Sequence, residues 1–122
     1  MPGVPAGAVY KEIIGAAGPS MADVYTVPSG KKLHITDVLL IRSVLSDMTD
    51  ATPTLVTIKR GSQFSGPLNL EALLRAFVPM NPNVFFGFGT PIEVAGPDKL
   101  CIGCGSTQAH NKWVFYRIFG YQ

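Results

Sequence analysis

The chain has 122 residues, 47% of them hydrophobic and only 15% charged, with a formal net charge of +2. That length supports one core rather than two, and ten basic against eight acidic residues leave no excess for neutralising phosphates, so nucleic acid is excluded as an expected partner. No apolar run approaches the roughly 18 residues of a helical membrane span, and the low charge leaves a free monomer poorly covered, which makes self-association the first expectation.

The opening residues, Met1 to Ala8, hold two prolines and two glycines and no apolar period. They read as an extended arm ahead of a single domain over 9–122. They also lack a charged stretch followed by an apolar core, so no export signal is expected, and the location read from the sequence is a virion or the cytoplasm. From Val9 onward, short apolar runs alternate with turn chemistry: GAAGPS, PSGKK, SDMTDATP, RGSQFSGP, PMNPN, AGPD and GSTQAHNK. Spacing of this kind predicts an all-β sandwich or barrel. The expected strands are Val9 to Ile14, Asp23 to Val27, Lys32 to Ser43, Thr54 to Arg60, Ala76 to Val78, Val84 to Phe88, Ile92 to Val94, Lys99 to Cys104 and Lys112 to Gly120. In Thr54 to Arg60, Val56 and Ile58 should face the core while Thr57 and Lys59 face solvent. One helical signal competes: Leu70, Leu73, Leu74 and Phe77 recur at i, i+3, i+4 and i+7 behind Pro67 and Asn69, which would give a short helical turn near 68–76.

Residues with chemical potential do not form a convincing catalytic set. Cys101-Ile102-Gly103-Cys104 has the spacing of a redox pair or half a zinc site. On a strand, however, the two thiols point to opposite faces, Cys104 with Leu100 and Ile102, Cys101 with Lys99 and Gly103. Even with His110 a metal would lack a fourth protein ligand, so no metal and no cofactor is expected. His34 and His110 have no nucleophile elbow to serve, and Gly87-Phe88-Gly89 lacks the helix and the Lys-Ser/Thr of a phosphate loop. The expected protein is not an enzyme.

Three segments carry a family resemblance: Tyr25 to Val38 (YTVPSGKKLHITDV), Thr90 to Leu100 (TPIEVAGPDKL) and Trp113 to Tyr121 (WVFYRIFGY). Their order resembles that of small jelly-roll proteins of bacteria and phages. There a strand enters a VPAGK-type turn, a long strand follows, a P-I-x-V-x-x-G-D-x-L stretch marks a later turn, and the chain closes on a strand with Gly-Tyr. Here Gly96-Pro97-Asp98 is one residue longer than the Gly-Asp of that pattern. The resemblance covers about two thirds of the chain and implies a TNF-like or virion-decoration-like antiparallel sandwich, commonly a trimer, without catalytic residues.

Two stretches are apolar on both faces. Val114, Tyr116 and Ile118 alternate with Trp113, Phe115 and Phe119, broken only by Arg117, and Val84, Phe86 and Phe88 alternate with Phe85 and Gly87. A two-layer sandwich buries one face of each sheet, so the second aromatic set needs a cover. The expected cover is another subunit, with Trp113, Phe115, Phe119 and Phe85 as the interface; a loop or the Leu70 to Phe77 segment folded over the sheet is the competing one. The expected function is therefore structural: a homo-oligomer, a trimer in the resembling family, decorating a larger shell such as a capsid. The alternative is a carbohydrate- or small-ligand-binding module using Gln108, His110, Asn111 and Trp113.

Overall fold

The computed structural model describes residues 4–18, 20–42, 54–61, 72–79, 83–104 and 113–122. These form eight strands: β1 (Tyr10–Ala17), β2 (Ala22–Thr26), β3 (Lys32–Arg42), β4 (Thr54–Arg60), β5 (Ala72–Val78), β6 (Val84–Ala95), β7 (Lys99–Cys104) and β8 (Val114–Tyr121). They make two antiparallel four-stranded sheets, β1-β8-β3-β6 and β2-β7-β4-β5. Strand 1 pairs with 8, 2 with 7, 3 with 6 and 4 with 5, so the chain runs as one long ribbon folded back on itself. The two sheets face each other across a shared core. One sheet contributes Leu33, Ile35, Val38, Leu40, Val94, Val114, Tyr116 and Ile118; the other contributes Val56, Ile58, Ala76, Val78, Leu100, Ile102 and Cys104. All are buried, and on β4, β7 and β8 they fall at every second position, the period that puts one side of a strand on the core.

Two turns join sheet to sheet and dock on one another. Pro28 to Lys31 closes with the Lys31 N–H donating to the Pro28 carbonyl (3.1 Å), and Gly30 takes a φ of +82°, the left-handed conformation that glycine adopts without strain. Ala95 to Asp98 closes likewise, Asp98 N–H to Ala95 O at 3.1 Å, and Gly96 then donates its N–H to the Lys31 carbonyl at 2.8 Å. The two halves of the family-like pattern are thus neighbours in space. Near the start, Pro5 to Ala8 form a turn with Gly7 at φ +83°, after which Val9 exchanges backbone hydrogen bonds with Gln122.

Several sequence expectations change. The predicted helical turn is replaced over 72–76 by β5, whose Ala76 and Val78 face the core while Phe77 is exposed; residues 68–71 lie outside the described residues. Pairing with β4 decides the matter, because a strand hydrogen-bonded along Thr54 to Lys59 uses the backbone groups that a helical turn would have satisfied internally. The runs Val84 to Phe88 and Ile92 to Val94 are one strand, since Thr90 and Pro91 stay extended; β6 is an edge strand, where a missing N–H costs no ladder bond. Gly15 to Ala17, read as a turn, extend β1. Thr57 and Lys59 do face away from Val56 and Ile58, yet both are buried rather than solvated.

Candidate functional site

Whereas the other sheet exposes Phe77, the outer face of the β1-β8-β3-β6 sheet gathers several exposed large apolar side chains. Strand register arranges its side chains in cross-strand rows. The first runs Ala16, Phe115, Ile41; the second Ile14, Arg117, Leu39, Phe85; the third Glu12, Phe119, Asp37, Gly87; the fourth Tyr10, Tyr121, His34, Glu93. Members of a row sit about 5 Å apart, close enough for side chains to touch. Ile14, Phe85 and Phe115 remain 63%, 61% and 41% exposed, while Leu39, Ile41 and Phe119 are partly buried beside them.

Polar contacts on this face are few and mutual. The Arg117 Nε donates to Glu12 Oε1 at 2.9 Å, with a second guanidinium nitrogen on the same oxygen, and the guanidinium carbon lies 5.4 Å from the centre of the Phe119 ring. His34 stacks on Tyr121, ring centres 4.7 Å apart and planes at 17°, and its Nδ1 is 3.6 Å from Glu93 Oε1.

Asp37 stands apart from these pairs. It is 4% exposed, and its Oδ2 is buried without a hydrogen-bond partner. An unsatisfied buried carboxyl oxygen costs on the order of 1–3 kcal/mol, more when charged. The sheet is irregular at this point on both sides. Against β8, two steps on β3 from Ile35 to Asp37 match one step from Gly120 to Phe119, so Thr36 is an extra bulge residue, its hydroxyl 3.3 Å from the Phe119 carbonyl. Against β6 the register jumps from Ile92 to Gly87. Bulges re-aim side chains, and this one sets Asp37 in the outer face between two core residues, Ile35 and Val38. Opposite it, Gly87 offers no Cβ, which would lie 3.4 Å from Asp37 Oδ1. The result is a recess of about 240 Å³ lined by Tyr10, Asp37, Phe85 and Phe119.

Of the residues expected at an interface, Phe85, Phe115 and Phe119 come together on this face. Trp113 does not join them. It lies at the β1–β2 side of the sandwich, its ring against Gly18, lining a second cavity of about 320 Å³ with Ala17, Val24 and Ile102. Gln108, His110 and Asn111, the rest of the alternative ligand set, lie outside the described residues.

The two cysteines are free, buried and on different sides of their sheet. Cys104 joins the core, with its Sγ 3.3 Å from the Ala17 carbonyl. Cys101 faces outward, 2.7 Å from Asp23 Oδ1 and 2.8 Å from the Gly61 carbonyl. Burial, helped by the adjacent Asp23 carboxylate, pushes the Cys101 thiol up to about 12; burial pushes Cys104 up to about 11, partly offset by a hydrogen bond at Val114 and the charge of Arg42. Thiols so shifted are neutral at physiological pH and poor nucleophiles. No described cluster of three or more His, Cys, Asp or Glu residues is placed to hold a metal. Compared with protein-family models and with curated proteins, the chain matches none.

Proposed function

We propose that this chain is a non-enzymatic structural subunit, a jelly-roll sandwich that assembles into a homo-oligomer and decorates or cements a larger shell such as a virion capsid. The outer face of the β1-β8-β3-β6 sheet carries the reading: Ile14, Phe85 and Phe115 are exposed within one apolar surface that extends over Leu39, Ile41 and Phe119. A contiguous apolar patch with one cation among aromatic rings has the composition of an interface centre rather than of a solvated surface. The nested pairing of strand 1 with 8, 2 with 7, 3 with 6 and 4 with 5 supports the jelly-roll topology, which is built of two Greek keys in facing sheets. The trimeric state and the virion setting follow from the family resemblance of the YTVPSGKKLHITDV, TPIEVAGPDKL and WVFYRIFGY segments.

Light scattering on the purified chain should give about three times 13.1 kDa at micromolar concentration. Incubation with purified capsids of a tailed phage, followed by sedimentation, should carry the chain into the pellet at a fixed ratio. A 13.1 kDa species that persists as concentration rises overturns the oligomer.

A further inference from the structure

The recess around Asp37 has a chemistry that subunit packing alone does not require. A buried carboxyl group with a free oxygen lines the recess together with Tyr10, Phe85 and Phe119, the last already carrying one guanidinium near its ring. Glu12 and Arg117 neutralise each other, and the exposed Lys32 on the same face offsets the half-exposed Glu93 beside His34, which leaves Asp37 as the uncompensated acid of the recess. An anion would meet repulsion here. A hard metal ion would find one carboxylate where six or more oxygens are wanted, and a sugar would find too few polar partners for its hydroxyls. A soft organic cation is matched twice, by the carboxylate and by ring faces whose quadrupole attracts positive charge. Opening the space takes three departures from a regular sheet: the Thr36 bulge, the β6 register jump and the missing side chain at Gly87.

We propose that this recess binds an organic ammonium group, with Asp37 as its counter-ion and Tyr10, Phe85 and Phe119 as its walls. The group is the same whether it comes on a free amine or on a lysine of a neighbouring copy. The cavity's 240 Å³ suits a trimethylammonium or butylammonium head, and Phe85, 61% exposed, leaves the mouth open.

Choline and butylammonium chloride are titrated into the protein and followed by calorimetry and by aromatic chemical shifts, with uncharged 3,3-dimethylbutan-1-ol as the matched control. Saturable binding should shift the Tyr10, Phe85 and Phe119 rings, the alcohol should not bind, and affinity should fall at least tenfold in both Asp37→Asn and Phe85→Leu. Phe85 is exposed, so its variant tests the site even if Asp37→Asn folds poorly. The titration is repeated on Phe115→Ser, which weakens the apolar face without adding charge. Binding by both the parent and this variant assigns the group to a free amine; binding by the dissociated form alone, reversed on assembly, assigns it to a neighbouring copy. Absence of binding in both, or binding indifferent to Asp37→Asn and Phe85→Leu, overturns the proposal. Light scattering reads the oligomer independently, so a monomer that binds choline would remove the subunit reading and leave this site intact.

Discussion

Gly96 in the β6–β7 turn lies directly against the backbone of Pro28 in the β2–β3 turn, where a Cβ would overlap the Pro28 carbonyl oxygen. The same glycine donates its N–H to Lys31, so the two turns are clasped through backbone alone. Gly96→Ala must push them apart and should cost about 1–3 kcal/mol. Gly89→Ala, at a position with nothing within 4 Å, should leave stability within about 0.5 kcal/mol. Urea unfolding of the two variants checks the contrast.

Adjacent residues of β8 should respond oppositely to the same substitution. Phe115 is 41% exposed on the outer face, whereas Tyr116 is 5% exposed in the core. Phe115→Glu should keep the β-sheet circular dichroism and lose the oligomer. Tyr116→Glu buries an unpaired charge, a change of more than about 3 kcal/mol, and should leave little folded protein. Circular dichroism and light scattering on the same samples separate the outcomes.

Alkaline pH should destabilise the chain through its thiols. Both cysteines have native values raised above the ordinary 9.0, so above pH 9 the native state holds protons that the unfolded chain releases. Stability from this source is complete below pH 9 and falls as pH rises, towards about 11 for Cys104 and about 12 for Cys101. The slope is up to about 1.4 kcal/mol per pH unit for each thiol. Burial raises Tyr116 as well, with the same sign at higher pH. Urea midpoints at pH 8, 9.5 and 10.5 should decline, and Cys101→Ser should flatten the decline. At pH 8 iodoacetamide should label both thiols only after unfolding.

Replacing Asp37 with leucine should raise the melting temperature, with a gain of about 1–3 kcal/mol, because an apolar side chain removes the unpartnered buried oxygen. The same variant should lose ammonium binding. Stability gained where binding is lost is the trade that a functional site makes; a fall in melting temperature would show that the carboxyl group supports the fold.

Sequence pattern was most legible where a strand keeps strict alternation and ends in strong turn chemistry. β4 and β7 occupy the expected residues, and the division of β8 into a core side, Val114, Tyr116 and Ile118, and an outer side with Phe115 and Phe119 follows directly from period two. The Leu70 to Phe77 spacing misled because the same residues satisfy a helical period locally, and only pairing with β4 selects a strand. Pro91 reads as a breaker until its strand is known to lie at a sheet edge. Asp37 carries no signal of burial. In the run His34-Ile35-Thr36-Asp37-Val38 it looks like a solvated position, and nothing in the residue types announces the bulge at Thr36 that places it in a recess shared with Tyr10, Phe85 and Phe119. Parity groups Trp113 with Phe115, but Trp113 precedes β8, where strand alternation does not hold.

The nested ribbon also bears on how the chain finds its fold. Among the described strands, only β4 and β5 are consecutive and paired with each other; every later pair encloses the one before, ending with β1 and β8. Closing the outermost pair first would tie up the 96 residues between Ala17 and Val114, whereas closing it last, after the inner pairs have shortened the effective loop, costs little further entropy. Zipping outward from the β4–β5 hairpin is therefore the cheap route, and a slow one, because few contacts are local. Mild truncations in that hairpin, such as Val56→Ala, should retard folding, while Ile13→Ala in β1 should act mainly on the unfolding rate.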